Sequence, residues 1–385
     1  MRAARLLIPI AAVAVAFAAV AWWRERPPAP ASDAKVRLSL ADVFPSGAAA
    51  DGFARPMAPH AFLFPVDHGP HVEHRTEWWY YTGHLDAAGG DRTFGFLLAF
   101  FRVGLTPWPP TRPSAWGAQH LYFAHFALTD VGAGRFHAHE RWSRGAVGLA
   151  GATGVPFRVW VEDWSVEGAP PAALPMRLRA AAEDVAIDLT LDAVKPPALQ
   201  GDRGLWKKGA EPGHASHYYS MTRMPAQGTV RVGDAALAVR GLAWMDREWG
   251  PSPLGAGEVG WDWFALQLAD RRDLMLYRVR RADGSVHPAR GSLIGPDGAV
   301  RALAAGDVQV DVLGHWTSPR GGIRYPARWR LRAPAAALDL EVEPLVADQE
   351  LDVGLRYWEG AVRVRGTSEG RGYVELTGYG DRPGR

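Results

Sequence analysis

Glu77-Trp78-Trp79-Tyr80-Tyr81-Thr82-Gly83-His84-Leu85 sets four consecutive aromatic residues between an acid and a histidine. Extended backbone sends successive side chains to opposite faces, so Glu77, Trp79, Tyr81 and Leu85 share one face while Trp78, Tyr80, Thr82 and His84 share the other. A strand with one wet face would alternate apolar with polar residues. Here both faces are aromatic with polar tips, and one is expected to pack while the other lines a pocket. Ala243-Trp244-Met245-Asp246-Arg247-Glu248-Trp249-Gly250 again mixes indoles with charges. Together the two segments point to an aromatic cavity that contains carboxylates.

Strand patterns continue on both sides of these segments. Phe94, Phe96, Leu98 and Phe100 oppose Gly95, Leu97 and Ala99, while Ile187, Leu189 and Leu191 alternate with Asp188, Thr190 and Asp192. Leu338, Leu340 and Val342 alternate with Asp339, Glu341 and Glu343, and Val362/Val364 and Val374/Leu376 follow. Turn signals fall between the runs, at Gly89-Gly90-Asp91, Gly233-Asp234, Asp283-Gly284 and Asp297-Gly298, in the manner of hairpins. No long amphipathic helical pattern competes. The expectation is an all-β chain in antiparallel meanders, closed into two β-barrel-like domains because closure removes exposed edges.

The 385 residues exceed what one core usually organises, about 250–300. Arg2 and Arg5 precede an apolar run from Leu6 to Trp23 in which Ala19-Val20-Ala21 offers a small-residue cleavage site, so residues 1–26 read as a signal peptide or a retained membrane anchor. Either way the body is expected outside the cytoplasm, in the periplasm, held at the inner membrane by residues 6–23 if the segment is kept. Residues 27–59 are Pro- and Ala-rich and read as an extended tether. The first barrel is expected over 60–249 and the second over 250–385, the boundary lying where Pro251, Pro253, Gly255 and Gly257 interrupt the pattern.

Composition removes several classes of function. With 43 basic against 41 acidic residues and no long run of either sign, nucleic acid is not an expected partner. The chain has no cysteine, which excludes disulfides, thiolate nucleophiles, Cys-ligated zinc and a lipidated cysteine. No Gly-x-Ser-x-Gly elbow, Walker loop or dinucleotide loop is present. The 17 tryptophans suit a large hydrophobic ligand better than a small polar one.

Three segments carry candidate chemistry. Trp244, Asp246 and Glu248 share a face of an extended strand, opposite Met245, Arg247 and Trp249. Burial against indole and a neighbouring carboxylate would both raise a carboxyl pKa and yield a general acid near neutral pH, whereas the plainer reading is an Arg–Glu–Asp ion-pair network between domains. In Gly213-His214-Ala215-Ser216-His217-Tyr218-Tyr219, His217 and Tyr219 fall on one side as a base and a phenol, or as core packing. Asp67-His68-Gly69-Pro70-His71-Val72-Glu73-His74 concentrates histidines and acids, but its intervals match no strong zinc signature. These histidines are expected to bond locally, and neither metal nor another cofactor is expected.

These residues resemble the AttH and carotenoid 1,2-hydratase superfamily. The resemblance rests on Phe64-Pro65 to His68-Gly69, the Glu77–Leu85 segment, Lys195-Pro196 with Leu199-Gln200-Gly201-Asp202, the His217 region and Trp244 to Gly250. Gly260-Trp261-Asp262-Trp263-Phe264-Ala265-Leu266-Gln267 and Tyr357-Trp358-Glu359-Gly360 complete it. It implies two lipocalin-like antiparallel β-barrel domains packed together. The chain is more similar to the AttH branch, associated with ABC-transporter operons, than to true carotenoid hydratases. In the hydratase branch a His-x-Trp and a Tyr-His-Asp-His segment supply the proposed catalytic groups, and the matching positions here are His217, Tyr219, Trp244 and Asp246, with the two aromatics exchanged.

The resemblance implies that Asp246 protonates a carbon–carbon double bond of an isoprenoid or lipid-like ligand, Trp244 and Tyr219 stabilise the cation, and His217 handles the water. Glu77, Trp79, Tyr81, His84, Arg247, Glu248 and Asp262 are the expected pocket or supporting groups. The competing expectation is a non-catalytic periplasmic lipid carrier working beside an ABC transporter permease, and a third is a pericyclase-like role.

Overall fold

The computed structural model describes residues 37–44, 52–90, 92–108, 114–209 and 211–380. The expected signal or anchor over 1–26, and residues 27–36 and 45–51 of the expected tether, lie outside the described residues.

β1 (Thr76–Ala87), β2 (Thr93–Gly104), β3 (His120–Asp130) and β4 (Arg135–Arg144) form an antiparallel meander. Shorter strands follow: β5 (Ala150–Thr153), β6 (Arg158–Val161), β7 (Trp164–Gly168), β8 (Met176–Ala182) and β9 (Val185–Leu191). After β10 (Ala198–Leu199) and β11 (Leu205–Lys207) come the long β12 (Ala215–Val232) and β13 (Ala235–Gly250), which close the gap between β9 and β1. This 13-stranded sheet curls into a nearly closed barrel. The second sheet comprises β14 (Glu258–Leu268), β15 (Asp273–Arg281), β16 (Arg290–Ile294), β17 (Val300–Leu303) and β18 (Gln309–Thr317). It continues through β19 (Arg324–Ala333), β20 (Leu338–Pro344), β21 (Glu350–Leu351), β22 (Tyr357–Gly366) and β23 (Gly370–Leu376), and curls into a half-barrel.

Period-two alternation divides the apolar side chains among three cores. Trp79, Tyr81, Leu85, Phe94, Phe96, Leu98 and Phe100 point into the first barrel, and Phe264, Leu340, Val364 and Leu376 fill the second. The third core lies between the sheets, where Tyr80, Leu97, Ala99, Tyr218 and Trp244 meet Trp263, Met275, Tyr277, Ala361 and Tyr373. Strands β1 and β2, with residues 215–222 of β12 and 243–250 of β13, are therefore buried on both faces, which is why β1 and β2 lack a polar face. Gly95 marks the closest approach: a Cβ there would lie 2.6 Å from Ala361 Cβ and 2.6 Å from the Tyr373 hydroxyl oxygen. The β1–β2 turn needs its glycine for another reason, because Gly90 has φ +77°.

Part of the stretch expected to be a tether is folded. Leu38 bridges to Leu355, and α1 (Leu40–Val43) starts with a capping box in which Ser39 and Asp42 satisfy each other's backbone N–H. Leu40, Val43 and Phe44 are buried in the core between the sheets. The proline-rich composition of the preceding residues masked this short amphipathic turn.

Candidate active site

The site is built on the pairing of β12 with β13 and of β13 with β1. Tyr218 stands opposite Glu248 and Ser220 opposite Asp246, while on the other side Trp78 faces Glu248 and Tyr80 faces Asp246. Residues paired across antiparallel strands point the same way. Trp78, Tyr80, Tyr218, Ser220, Trp244, Asp246 and Glu248 thus project together from the first sheet. The second sheet answers with Trp261 and Trp263 of β14, Tyr277 of β15 and Glu375 of β23. Phe44, Trp206 and Lys208 close the sides of a narrow cavity of about 60 Å³.

Asp246 sits at its floor. Its Oδ1 accepts from Ser220 Oγ at 2.5 Å and from Trp244 Nε1 at 2.7 Å, and its Oδ2 accepts from the Tyr218 hydroxyl. Gln200 Nε2 donates to Ser220 Oγ at 2.9 Å, and Trp263 Nε1 donates to the Tyr218 oxygen at 3.3 Å, so two of the three partners are themselves oriented. Burial pushes the Asp246 carboxyl up to about 7; Glu248 adds to the rise and the three donors oppose it. The carboxyl exchanges its proton near neutral pH while facing indole and phenol rings.

A second carboxyl behaves alike. Glu375 Oε2 accepts from Trp261 Nε1 at 2.9 Å, and burial pushes its pKa up to about 7, with Asp246 and Glu248 contributing and Lys208 opposing. Behind it, burial holds Glu359 well above the usual carboxylate range; it accepts from the Tyr80 hydroxyl at 2.6 Å, and its Oε2 has no partner among the described residues. Glu248 is instead paired, with Lys208 Nζ at 2.5 Å and with Ser216 Oγ, and Lys208 Nζ lies 5.0 Å from the centre of the Trp78 ring. The cavity combines two carboxyls that titrate near neutrality, one compensated ion pair and a wall of aromatic faces. The buried Tyr277 hydroxyl, also on the wall, has no partner among the described residues.

The sequence-derived site residues divide between two places. Trp244, Asp246 and Glu248 lie in the cavity. His217 and Tyr219 do not: they pair with Trp249 and Arg247 and project into the first barrel, across the sheet from Asp246. The expectation that all four transferred positions meet one ligand is corrected by strand parity, because odd-numbered residues of β12 face away from the even-numbered acid of β13. Tyr219 bonds His68 Nδ1 at 2.6 Å, and His217 Nε2 bonds the Ala58 carbonyl at 3.1 Å. Tyr218 occupies the place expected for Tyr219.

Of the expected supporting groups, most are structural. Glu77 is fully buried in the first barrel between Arg102 Nε at 2.8 Å and Arg247 Nη2. Burial alone would raise its pKa, but the two guanidiniums and His71 hold it well below the usual range. The Arg247 guanidinium lies 4.0 Å from the centre of the Trp79 ring, Trp79 Nε1 donates to the His68 carbonyl, and Tyr81 reaches Met176 Sδ. Arg247 therefore pairs with Glu77 inside the first barrel, not with Asp246 or Glu248 between domains as the plainer reading expected. His84 crosses between the sheets to the Gly372 carbonyl at 2.8 Å, and burial lowers its pKa to about 4. Asp262 faces Arg278, Arg280 and Tyr379 and is not a cavity residue. At the barrel mouth, His71 bonds Asp67 locally as expected, while His60 joins them from upstream.

Tyr218, Lys208, Trp261, Trp263, Tyr277 and Glu375 were missed in the sequence. Trp261 and Trp263 lay within a quoted segment, but only the packing of the two sheets aims them at Asp246. Glu375 sits in an ordinary alternating strand and carried no signal.

The comparisons agree with this architecture. A crystal structure described as AttH from Nitrosomonas europaea superposes with a TM-score of 0.77 at 33% identity, over 85% of this chain and 99% of that one. Kievitone hydratase from Nectria haematococca shares the fold, with a TM-score of 0.63 at 15% identity over 85% and 98% of the two chains. The dehydratase AsqC of Emericella nidulans is 30% identical over 96 residues, and the chain spans about a quarter of the length of that curated relative. The match to the AttH-like family runs over residues 55–379 and takes in both sheets, so this chain belongs to the AttH-like family.

Proposed function

We propose that this protein is a hydro-lyase-type enzyme that adds water to, or removes it from, a carbon–carbon double bond of a hydrophobic unsaturated molecule held between the two sheets. The observation that carries the reading is the buried Asp246 carboxyl, titrating near 7 in an aromatic-walled cavity. A hydratase and a dehydratase among the similar proteins support it.

In the hydration direction, protonated Asp246 delivers its proton to one alkene carbon, and the π electron pair forms the new C–H bond. The cation left on the neighbouring carbon is stabilised by the ring faces of Trp78, Trp263 and Tyr80. Tyr218, Ser220 and Trp244 receive the developing Asp246 carboxylate with three hydrogen bonds. Ionised Glu375 takes a proton from the water whose oxygen forms the C–O bond. Asp246 ends ionised and Glu375 protonated, and proton exchange between them restores the start. Microscopic reversibility exchanges the two roles in dehydration. An isoprenoid ligand, export to the periplasm and partnership with an ABC transporter follow from the sequence resemblance and the N-terminal segment, and belong to the same proposal; cell fractionation tests the export.

The full chain and Asp246→Asn are incubated with a lipid extract of the source organism in ¹⁸O-labelled water, and bound and free species are read by LC–MS. A labelled product formed by the wild type and slowed about 10²–10⁴-fold in the variant is expected, the range for a general acid. Equal retention of one unaltered lipid by both proteins would make the cavity a carrier's and overturn the enzyme reading.

A further inference from the structure

The segment before β1, packed against the other face of the same strands, carries a second constellation that this mechanism does not use. His60 Nε2 lies 3.1 Å and His71 Nε2 3.0 Å from the same oxygen, Asp67 Oδ1, and one donor atom from each residue falls within 4.8 Å of the others. We infer that His60, Asp67 and His71 form a binding site for one divalent first-row transition-metal ion at the mouth of the first barrel. This reverses the expectation from the sequence, where His60 stands outside the histidine-rich run.

The distances fit the assignment. An ion about 2.0–2.2 Å from imidazole nitrogen and carboxylate oxygen places those donors roughly 3–3.5 Å apart. Two imidazoles and one carboxylate leave positions open for water, the arrangement that suits zinc or iron(II). His71 has the support a ligating imidazole requires: its Nδ1 faces Glu77 Oε1 at 3.0 Å, a carboxylate that fixes the ring and leaves Nε2 for the ion. Trp249 stacks on that ring at 3.6 Å and 5°. Leu63 N–H donates to Asp67 Oδ2, so the carboxylate presents Oδ1 inward. Arg247 Nη2, 3.4 Å from His71 Nδ1, brings positive charge behind the ligand, and Glu77 is paired against it.

His217 supplies an independent sign. It is 8% exposed, and its ring lies 5.2 Å from that of His60. A backbone carbonyl only accepts, so the bond from Nε2 to Ala58 O puts the proton on Nε2. Nδ1 is left as a bare lone pair with no partner among the described residues. A buried acceptor without a donor is costly. A water on the ion, donating to His217 Nδ1, satisfies it. The His60 side chain is 33% exposed, which leaves the ion a route in.

The test uses the full chain, stripped with a chelator and titrated with cobalt(II). One equivalent is expected to bind, with ligand-field bands of a nitrogen–oxygen site in the visible, and zinc(II) should displace it. His60→Ala, at the exposed ligand, should weaken binding by more than the roughly ten- to hundredfold that loss of an outer partner costs. His315→Ala, on β18 of the half-barrel, should leave it unchanged. A folded wild type that takes up no stoichiometric cobalt at micromolar free ion overturns the assignment, as does uptake equal in wild type and His60→Ala. The wild-type spectrum decides even if the variant unfolds. The sheet separates this site from the Asp246 cavity, so either reading can fail without the other.

Discussion

Replacing Asp246 by Asn tests the state of the acid before any substrate is known. The amide keeps an oxygen toward Ser220 and Trp244 and offers an N–H toward the Tyr218 oxygen, much as the protonated acid would. The wild-type carboxyl moves from an ordinary 3.8 to about 7 on folding. A pKa raised in the folded state means that the folded chain holds the proton more tightly. Its contribution to stability is therefore complete below about 4, declines as pH rises toward about 7, and is flat above that. The slope for one group is about 1.4 kcal/mol per pH unit, so between about pH 5 and pH 8 the wild type should lose about 3 kcal/mol from this residue. Asn does not titrate. The stability of Asp246→Asn relative to wild type should thus rise by about 3 kcal/mol across that interval. Relief of the push that Asp246 exerts on Glu375 acts in the same direction. Urea unfolding at constant ionic strength, followed by tryptophan fluorescence, reads the difference. A gap constant across the interval would refute a neutral, desolvated Asp246 and the acid role with it.

Tyr218→Phe removes a donor to the ionised acid and should slow any turnover about ten- to hundredfold, equivalent to about 1.5–3 kcal/mol, whereas Tyr219→Phe should leave it within about twofold. Equal effects would return the role to the residue matched by sequence. Glu77→Gln leaves Arg102 and Arg247 buried without their counter-charge and should cost about 3–5 kcal/mol in the urea midpoint analysis; a loss under about 1 kcal/mol would show the pair to be dispensable. Gly95→Ala places a methyl against Ala361 and Tyr373, and the overpacking should cost about 1–3 kcal/mol in thermal unfolding. An unchanged melting temperature would mean that the sheets part there freely.

Strand parity was legible, and it accounts for how much of the site could be read. The division of Trp78 and Tyr80 from Trp79 and Tyr81, and of Asp246 and Glu248 from Arg247 and Trp249, follows from extended backbone alone, and the structure places each set on its own face. What single strands cannot state is which parity on one strand shares a face with which parity on another. That is set by register: Ser220 opposite Asp246 brings Tyr218 to the acid and turns His217 and Tyr219 away. Matching segments to a family preserves residue types but not this phase. Glu375 was hidden for a related reason, since its carboxyl meets Asp246 only where two separately curled sheets lie face to face. The metal candidate was hidden because His60 joins Asp67 and His71 through a loop, with no fixed interval to recognise.

The two-faced sheet also constrains how this chain can change length. A one-residue insertion in β13 between Trp244 and Asp246 would slip the register and send every following side chain to the opposite face. Arg247 would enter the aromatic cavity and the acid would face the barrel. The irregularity of β12 between Met221 and Met224 is where the pairing already shifts its count. Beyond it Met224, Ala226, Val230 and Val239 still fill the first barrel, so only at the Gly233-Asp234 turn itself can residues be added or lost without displacing either chamber's contents. Natural variation in length should collect at that distal end, leaving Ser216 to Met221 fixed in spacing against Met245 to Gly250, so that alignment gaps alone could trace the division between the two chambers.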